Sequence, residues 1–425
     1  MKWNSRDLWE RKLSKIVVEG EEDNKKLFYS NLYRAFQAPY NTTSSDGSYR
    51  GSDGKIYKAD GFTFYQGWSI WDNFRTQLPL LTILEPEISL DICKSLVELY
   101  KQGKFRWAST TEPFPTVRTE HSSIVLLDAY KKGITNFNIE AAYHCMLQEV
   151  DSLPYASPDN ILESSYDYWA LSEIAGIIGK ENDRKKFLEK ANQYKKVWRD
   201  KFLVMDTNSD IMHGDGLYEG TLWQYRWFVT WDVPGLMELI GGEEEFVDQL
   251  THFFEKDLYN HGNQPDIHAP FLFNFFDSPW KTQKWVNQIL TKDMIQWYGT
   301  HDKWDEPYIG KIYKNSPQGY LFEMDEDMGT MSSWYVLSAI GIYPQNVGEP
   351  YYHLTSPIFN RLKIETSTNT WFEIQAPAFN DSNFYIDKAI LNNTILEKNR
   401  ISHKTLTEGG FLKLELTDVP KKHIE

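Results

Sequence analysis

Glu219 is the carboxylate best placed in this sequence to act as a general acid. It precedes Gly220 at the start of an aromatic helical segment, and aromatic residues flank it: Tyr218, Trp223 and Tyr225. Partial desolvation by these rings would favour the protonated form of its carboxyl group, which a general acid requires. The alternative is a first-turn glutamate stabilised by the helix dipole, and the sequence alone leaves both readings open.

An acidic segment at residues 323–335 is the second candidate. It places four acids within five residues, namely Glu323, Asp325, Glu326 and Asp327. Such a grouping is costly unless a cation binds or protons are shared. Asp325 and Asp327 point the same way in an extended turn, and the segment continues into an apolar helix, which favours a site over a solvated charge run. The ligand spacing of an EF-hand is absent.

The third segment, residues 261–270, is rich in hydrogen-bonding groups between two prolines. His261, Asn263 and Gln264 suit sugar hydroxyls, and side-chain amide oxygens also bind hard cations. The alternative is a helix N-terminus with proline near its first position. The spacing of His261 and His268 does not match a zinc motif.

Residues 68–75 form a fourth segment, in which Trp68 and Trp71 surround Asp72 and Arg75. Aromatic walls beside a fixed carboxylate are typical of a sugar subsite, since aromatic faces pack against sugar C–H groups. An Asp72–Arg75 ion pair at a helix start explains the same residues equally well.

An acid and a base on separate segments match inverting glycoside hydrolysis. In that reaction one carboxylic acid protonates the leaving oxygen, and a carboxylate about 6.5–9.5 Å away activates water on the opposite face. Glu219 can supply one side, and the pair Asp325 and Asp327 can supply the other.

These segments lie within a chain whose periodicity changes near Pro344. From about residue 85 to 345 apolar residues recur every three to four positions, which predicts many helices joined by short loops. The predicted helical segments include about 122–132, 222–240, 243–257 and 330–340. After Pro344, Leu412, Leu414 and Leu416 alternate with polar residues, which predicts strands. We expect a helical lead-in at residues 1–25, a helical domain at 26–347 and a small β-sandwich-like domain at 348–425.

Composition narrows the function further. The 425 residues carry a formal net charge of -15, which argues against a nucleic-acid surface. No apolar run is long enough for a membrane span, and the first residues lack the apolar core of a signal peptide, although the parent protein could still be secreted. Aromatic residues make up 15% of the chain, which is compatible with carbohydrate binding.

Several short motifs together resemble the α-mannosidases of glycoside hydrolase family 92. They occur in the family's order and cover most of the chain, at residues 59–63, 71–75, 80–82, 219–225, 261–265, 279–283, 325–335 and 356–359. Each motif is weak alone, but their combination is specific.

The resemblance implies an (α/α)6 barrel that removes terminal α-linked mannose, most often α-1,2-linked, from mannose-containing oligosaccharides with inversion and with help from Ca²⁺. It implies that Glu219 is the general acid and that Asp325 and Asp327 position and deprotonate water. It further implies a mannose subsite of Trp71, Asp72, Arg75, Trp223, Gln224 and His261. Asn263, Gln264 and Asp327 are the implied calcium neighbours.

Two departures from the family pattern matter. The family usually has Asn-Glu-Pro where this chain has Asn263-Gln264-Pro265, so a ligand oxygen is kept but a charge is lost. Family members also usually begin with an N-terminal β-sandwich that completes the pocket, and we expect this chain to lack it. A non-catalytic carbohydrate-binding fragment and another (α/α)-barrel glycosidase are the alternatives.

Overall fold

The computed structural model describes residues 2–67, 69–103, 121–297, 306–317, 319–320, 324–366 and 370–422. The α-helices of these ranges are α1 (Lys2–Leu13), α2 (Glu22–Ala35), α3 (Ile70–Asn73), α4 (Gln77–Leu84), α5 (Pro86–Lys101), α6 (Ser122–Lys131), α7 (Ile139–Glu149), α8 (Pro158–Ile177), α9 (Glu181–Ala191), α10 (Tyr194–Lys201), α11 (Leu222–Tyr225), α12 (Val233–Ile240), α13 (Glu243–Glu255), α14 (Pro279–Thr291), α15 (Thr330–Ala339) and α16 (His403–Glu408).

The described strands that begin before residue 345 have at most four residues, and the longest strands follow it. They are β1 (Ile16–Glu19), β2 (Tyr40–Asn41), β3 (Ser48–Arg50), β4 (Ile56–Lys58), β5 (Tyr65–Gln66), β6 (Asp293–Gln296), β7 (Tyr308–Lys311), β8 (Ile342–Tyr343), β9 (Tyr351–Leu354), β10 (Arg361–Thr366), β11 (Thr370–Gln375), β12 (Tyr385–Leu391), β13 (Thr394–Ile395), β14 (Arg400–Ser402) and β15 (Gly410–Thr417).

The helices of the first 345 residues differ in how much of their surface is buried. Every residue of α4 and α15 is buried, and α6 and α8 are buried along most of their length. In α13 the buried residues are Phe246, Leu250, Phe253 and Phe254, a stripe on one face. Helices that are apolar all round must lie inside, whereas helices with one apolar stripe cover them.

The last helix of this region lies beside the first ones. The helix α15 packs against both α2 and α4, and also against α14. This contact closes the succession of helices into a ring, so the predicted helical barrel with a small C-terminal β domain is confirmed. No described helix has the length and apolar character needed to cross a membrane.

The C-terminal domain consists of two sheets. The larger has the strand order β1-β10-β11-β15-β12-β13, and the smaller has the order β14-β9-β8. Pairing is antiparallel, as predicted, except between β11 and β15, which are parallel. Strand β1 from the lead-in pairs with β10, so the lead-in and the C-terminal domain share a sheet. The two predicted domain boundaries, at residues 25/26 and 347/348, stay predictions.

One helix predicted from periodicity, at about residues 222–240, is two helices. The helix α11 ends at Tyr225, and α12 begins at Val233 with Pro234 in its first turn. Proline has no backbone N–H and fits only the first turn of a helix, so the helix cannot run through it. Asp232 caps the new start by accepting a hydrogen bond from the Gly235 amide at 3.0 Å.

Candidate active site

A turn at residues 262–264 brings the predicted site segments together. The Asn263 side-chain amide donates to Glu219 Oε2 at 2.9 Å, and the Gln264 side-chain amide donates to Asp72 Oδ1. The Gly262 carbonyl accepts a hydrogen bond from the Asp325 amide at 3.1 Å. Three segments far apart in sequence are therefore fixed on one turn, and each brings a carboxylate.

The backbone at two of these carboxylates is left-handed. Glu219 has φ 52°, and Asp327 and Met328 have φ 51° and 52°. Non-glycine residues rarely adopt this conformation, which costs of the order of 1–3 kcal/mol and persists only where the surroundings enforce it. Such strain is concentrated at functional sites, so it supports the assignment of these residues to one.

Burial disfavours the charged forms of the carboxylates that lie deepest. Burial, together with the nearby negative charges of Glu219 and Asp325, raises the pKa of Asp72 to about 7. The pKa of Asp327 is raised well above its ordinary value by burial and then by Asp72 and Asp325. Burial likewise raises the pKa of Glu326 to about 7. These shifts mark the carboxylates as one interacting cluster.

Trp71 forms one wall beside the cluster. Its indole N–H donates to Glu163 at 2.7 Å, and its ring meets Tyr218 edge-on at 5.1 Å. The buried Arg75 lies against this wall, with its guanidinium carbon 5.4 Å from the Trp71 ring centre and 4.8 Å from that of Phe228. The short helix α3 and the residues after it thus place Trp71, Asp72 and Arg75 together, as predicted.

Two predicted substrate-binding residues lie behind the site. His261 is fully buried, and its ring nitrogens contact the hydroxyls of Tyr259 and Tyr313. Burial lowers the pKa of His261 to about 3, so its imidazole is neutral. Gln224 forms a capping box with Thr221 at the start of α11, and its side-chain amide donates to the buried Asp266 at 3.2 Å. Both contacts suit a role in supporting the 262–264 turn.

Trp223 packs against the outer helix α13. Its ring stacks at 6.4 Å on Phe253 and lies 5.8 Å from His252, both on the outer helix α13. The guanidinium carbon of Arg226 lies over the Trp223 ring, 5.1 Å from the ring centre. Two further residues of the predicted segments, Trp68 and Glu323, lie outside the described residues.

Calcium in proteins is bound by oxygen donors, chiefly carboxylates and carbonyl or amide oxygens. No three histidine, cysteine, aspartate or glutamate side chains among the described residues are grouped as metal ligands. Gln264 Oε1 and Asp327 Oδ2 are, however, buried oxygens without a hydrogen-bond partner in the described part of the chain. Orphaned amide and carboxylate oxygens within an acidic cluster are donors of the hard type that Ca²⁺ takes, so the residues fit this cation chemically.

Sequence reasoning missed a set of buried acids on α8. Asp159, Glu163 and Asp167 are at most 1% exposed, although they recur every four residues on one helix. Acids at this spacing in an otherwise apolar helix could have been recognised as partners of buried polar groups, because charged side chains are almost never buried unpaired.

A separate cavity of about 460 Å³ lies between residues 274–279 and the C-terminal domain, where it is lined by Phe275, His353 and Arg400 among others. None of the predicted site residues lines it, so we assign the chemistry to the carboxylate cluster, which holds the strained backbone and the shifted pKa values.

Known proteins resemble this chain over nearly its whole length. A model of the glycosyl hydrolase family 92 catalytic domain matches residues 1–160, 155–300 and 299–418. The chain is 20% identical over 479 residues to an uncharacterized secreted glycosidase of Arthroderma benhamiae, which covers 96% of this chain and 55% of that protein.

Solved structures give the same family. A GH92 family glycosyl hydrolase superposes with a TM-score of 0.88 at 27% identity, covering 99% of this chain and 62% of that chain. The family GH92 inverting mannosidase of Bacteroides thetaiotaomicron has a TM-score of 0.82 at 26% identity, covering 99% and 63%. A GH92 α-mannosidase of the same organism, solved with mannoimidazole, has a TM-score of 0.83 at 25% identity, covering 98% and 59%.

The chain therefore spans between 55% and 63% of the length of these relatives. Since the family match extends over nearly all of its residues, this protein belongs to glycosyl hydrolase family 92 and comprises that family's catalytic domain.

Proposed function

We propose that the chain is the catalytic barrel of a calcium-assisted exo-α-mannosidase that removes terminal α-1,2-linked mannose from mannose-rich glycans with inversion. Two structural relatives are described as mannosidases, one of them as inverting. Family membership and the carboxylate cluster support the hydrolase class, and the relatives' descriptions support the sugar.

The observation that carries the proposal is the shared 262–264 turn. It binds the Glu219 carboxylate through the Asn263 amide at 2.9 Å and the backbone of Asp325 through the Gly262 carbonyl at 3.1 Å. A single rigid turn therefore sets the position of the candidate acid relative to the candidate base. Inverting hydrolysis needs such a fixed separation, because a water molecule must fit between the base and the sugar.

Glu219 would protonate the leaving glycosidic oxygen. Asn263 donates to Oε2 of its carboxyl group, so Oε1 is the oxygen that would carry the proton. Asp325 is exposed, so a water molecule can reach the pair of Asp325 and Asp327 from the solvent side, and the pair would take its proton as it attacks the anomeric carbon. Each of the two proton transfers would contribute about 10²–10⁴-fold to the rate.

Calcium would be held by Asp327 Oδ2 and Gln264 Oε1, with Asn263 nearby. When bound, the cation would polarise sugar hydroxyls and stabilise negative charge. It would also compensate the repulsion that raises the pKa of Asp327, because an opposite charge favours the ionised form.

The test is mannose release from α-1,2-, α-1,3- and α-1,6-mannobiose by the chain, with calcium and with a chelator. Glu219→Gln removes the acid and keeps the shape, and Glu244→Gln, at an exposed position of α13, is the matched control. We expect calcium-dependent release, fastest from the α-1,2 disaccharide, that only Glu219→Gln abolishes. Mannose binding without any turnover by the folded wild-type chain would contradict the proposal and favour a binding role.

A further inference from the structure

The helix α8 presents two buried acids to the loop that carries Glu219. Asp159 and Glu163 are four residues apart, so they lie on the same face of the helix, and both are at most 1% exposed. Residues 217–221, which we call the acid loop, pack against this face. A buried carboxylate needs strong hydrogen-bond partners, so the partners of these two acids show which groups this helix face positions.

Asp159 and Tyr225 hold one residue of the acid loop, Tyr218, at its backbone amide and at its carbonyl. The Asp159 carboxylate accepts a hydrogen bond from the Tyr218 amide at 3.0 Å. The Tyr225 hydroxyl donates to the Tyr218 carbonyl at 2.6 Å. With its amide and carbonyl both fixed, the residue before Glu219 cannot rotate without breaking one of these two hydrogen bonds.

Glu163 connects this loop to the aromatic wall. Its Oε1 accepts the indole N–H of Trp71 at 2.7 Å and lies 3.5 Å from the Tyr225 hydroxyl. Trp71 in turn meets the Tyr218 ring edge-on. The same helix face therefore orients the loop and the wall beside it.

The backbone of Glu219 shows why such support is needed. Its φ of 52° is unfavourable for a glutamate, so the loop would relax if its neighbours did not enforce this conformation. Gly220 also lies directly against Tyr225, since a Cβ atom there would be 2.6 Å from the Tyr225 ring. The contacts of Tyr218 and Gly220 thus bracket Glu219 on both sides.

We propose that Asp159, Glu163 and Tyr225 are positioning residues that hold the Glu219 carboxyl group where it can protonate the leaving oxygen. The inference rests on the proposed function, because it takes Glu219 as the general acid. A shift of about 1 Å in a catalytic group can cost about 100-fold in rate, so loss of one support should be measurable.

The experiment compares two substrates that differ in their need for an acid. Release of 2,4-dinitrophenolate from its α-mannoside needs little protonation, whereas release of a sugar from α-1,2-mannobiose needs it fully. The variants are Tyr225→Phe and Asp159→Ala, with Asp159→Asn retaining an acceptor. Tyr168→Phe is the control, since Tyr168 is also on α8 and its hydroxyl donates to the Val150 carbonyl at 3.1 Å.

For Tyr225→Phe and Asp159→Ala we expect kcat on mannobiose to fall about 10–100-fold with KM changed less than about twofold. On the dinitrophenyl substrate the loss should stay within about threefold, and Asp159→Asn should recover part of the mannobiose rate. Tyr168→Phe should behave as wild type on both. Equal losses on both substrates, or no loss on either, would overturn the positioning role.

Glu219→Gln separates this inference from the proposed function. If Glu219→Gln slows mannobiose hydrolysis much more than dinitrophenolate release, but the three variants affect both substrates equally, the positioning role alone fails. If Glu219→Gln leaves mannobiose hydrolysis intact, the acid assignment fails and the inference fails with it. A crystal structure of Tyr225→Phe gives a check without turnover, because we expect the hydrogen bond between Asn263 and Glu219 to lengthen or break.

Discussion

Carboxylates of the C-terminal sheet and carboxylates of the 262–264 site have opposite surroundings. On β11, Glu373 accepts hydrogen bonds from Arg361 at 2.7 and 3.2 Å, and this pairing lowers the pKa of Glu373. At the site, burial and neighbouring negative charges raise the pKa of Asp72 and of Asp327. The sheet pairs its charges, whereas the site groups charges of one sign.

The backbones of the two regions differ in the same sense. In the C-terminal domain the non-glycine residues with positive φ are Asn392 and Asn393, at a turn where asparagine is well tolerated. At the site they are Glu219, Asp327 and Met328. At the turn in the C-terminal domain the residue types tolerate the backbone conformation that they adopt, whereas at the site they do not. Departures of this kind are expected at functional sites.

The largest expected effect is on activity at the acidic segment. Asp325→Asn and Asp327→Asn should each lower kcat on α-1,2-mannobiose about 10²–10⁴-fold, because the water loses its base. The unfolding temperature should not fall, since neutralising one of several grouped charges removes repulsion. Asp200→Asn, at an exposed position of α10, is the control. Full activity of both site variants would show that the base lies elsewhere.

The next effect tests how tightly the acid loop is packed. Gly220→Ala places a methyl group 2.6 Å from the Tyr225 ring, so the loop must shift, and we expect kcat to fall about 10–100-fold. Gly214→Ala is the control, because its new Cβ would lie 3.6 Å from Ile211, an ordinary contact. Steady-state kinetics on mannobiose measure both. Equal rates for the two variants would mean that the loop tolerates displacement.

The sequence predicted features that depend on residues close together in the chain better than features that depend on distant residues. Motifs identified the residues of the 262–264 turn and the residues that it contacts, because the side chains of a short motif can be recognised without knowing the fold. Periodicity identified helices such as α6, α13 and α15 within a few residues. These features depend on residues close together in the chain.

Features that depend on distant residues were not predictable. The left-handed Glu219 follows Tyr218, whose amide donates to Asp159 on α8, 59 residues earlier in the chain. Trp223 looks like a sugar platform in sequence, yet its ring packs on α13 because that helix offers Phe253. The calcium neighbours and the roles of the acids stay predictions.

A smaller effect concerns acid stability at the C-terminal domain. Burial lowers the pKa of His403 to about 3, with a further contribution from Lys132. The unfolded chain would bind a proton below about pH 6.5 and the folded chain would not, so stability is full above that pH and is lost as the pH falls towards 3. At pH 5 the loss from this residue is about 2 kcal/mol.

Urea unfolding at pH 7.5 and pH 5 measures this loss. His403→Gln should remove about 2 kcal/mol of the difference between the two pH values. His144→Gln should leave the difference unchanged, because the His144 side chain is 55% exposed. An identical pH dependence in wild type and His403→Gln would show that His403 does not resist protonation.

A still smaller effect is a gain at the implied calcium site. Gln264→Glu restores the charge that the family usually has there, and we expect Ca²⁺ to bind about tenfold more tightly by calorimetry. Without calcium the same change should lower the unfolding temperature, since a donor to Asp72 becomes a repelling carboxylate. Gln148→Glu, exposed on α7, should do neither. Unchanged affinity would remove Gln264 from the calcium site.

The smallest effect is expected from the paired charges of the sheet. Glu373→Gln loses the ion pair with Arg361 and should cost less than about 1 kcal/mol of unfolding free energy, as for other partly exposed pairs. Mannosidase activity should be unchanged. A large loss of activity would show that the sheet contributes to the site and would break the contrast between the two regions.

The central claim is that an acid and a base held apart by one turn cleave an α-mannoside with inversion. Proton NMR during the first minutes of hydrolysis of methyl α-1,2-mannobioside tests it directly, because the released mannose is then the only free reducing sugar and shows its anomeric configuration before mutarotation. The account predicts β-mannose as the first product of the wild-type chain and none from Glu219→Gln. α-Mannose as the first product would contradict it, since that outcome requires a covalent intermediate and a retaining arrangement of the carboxylates.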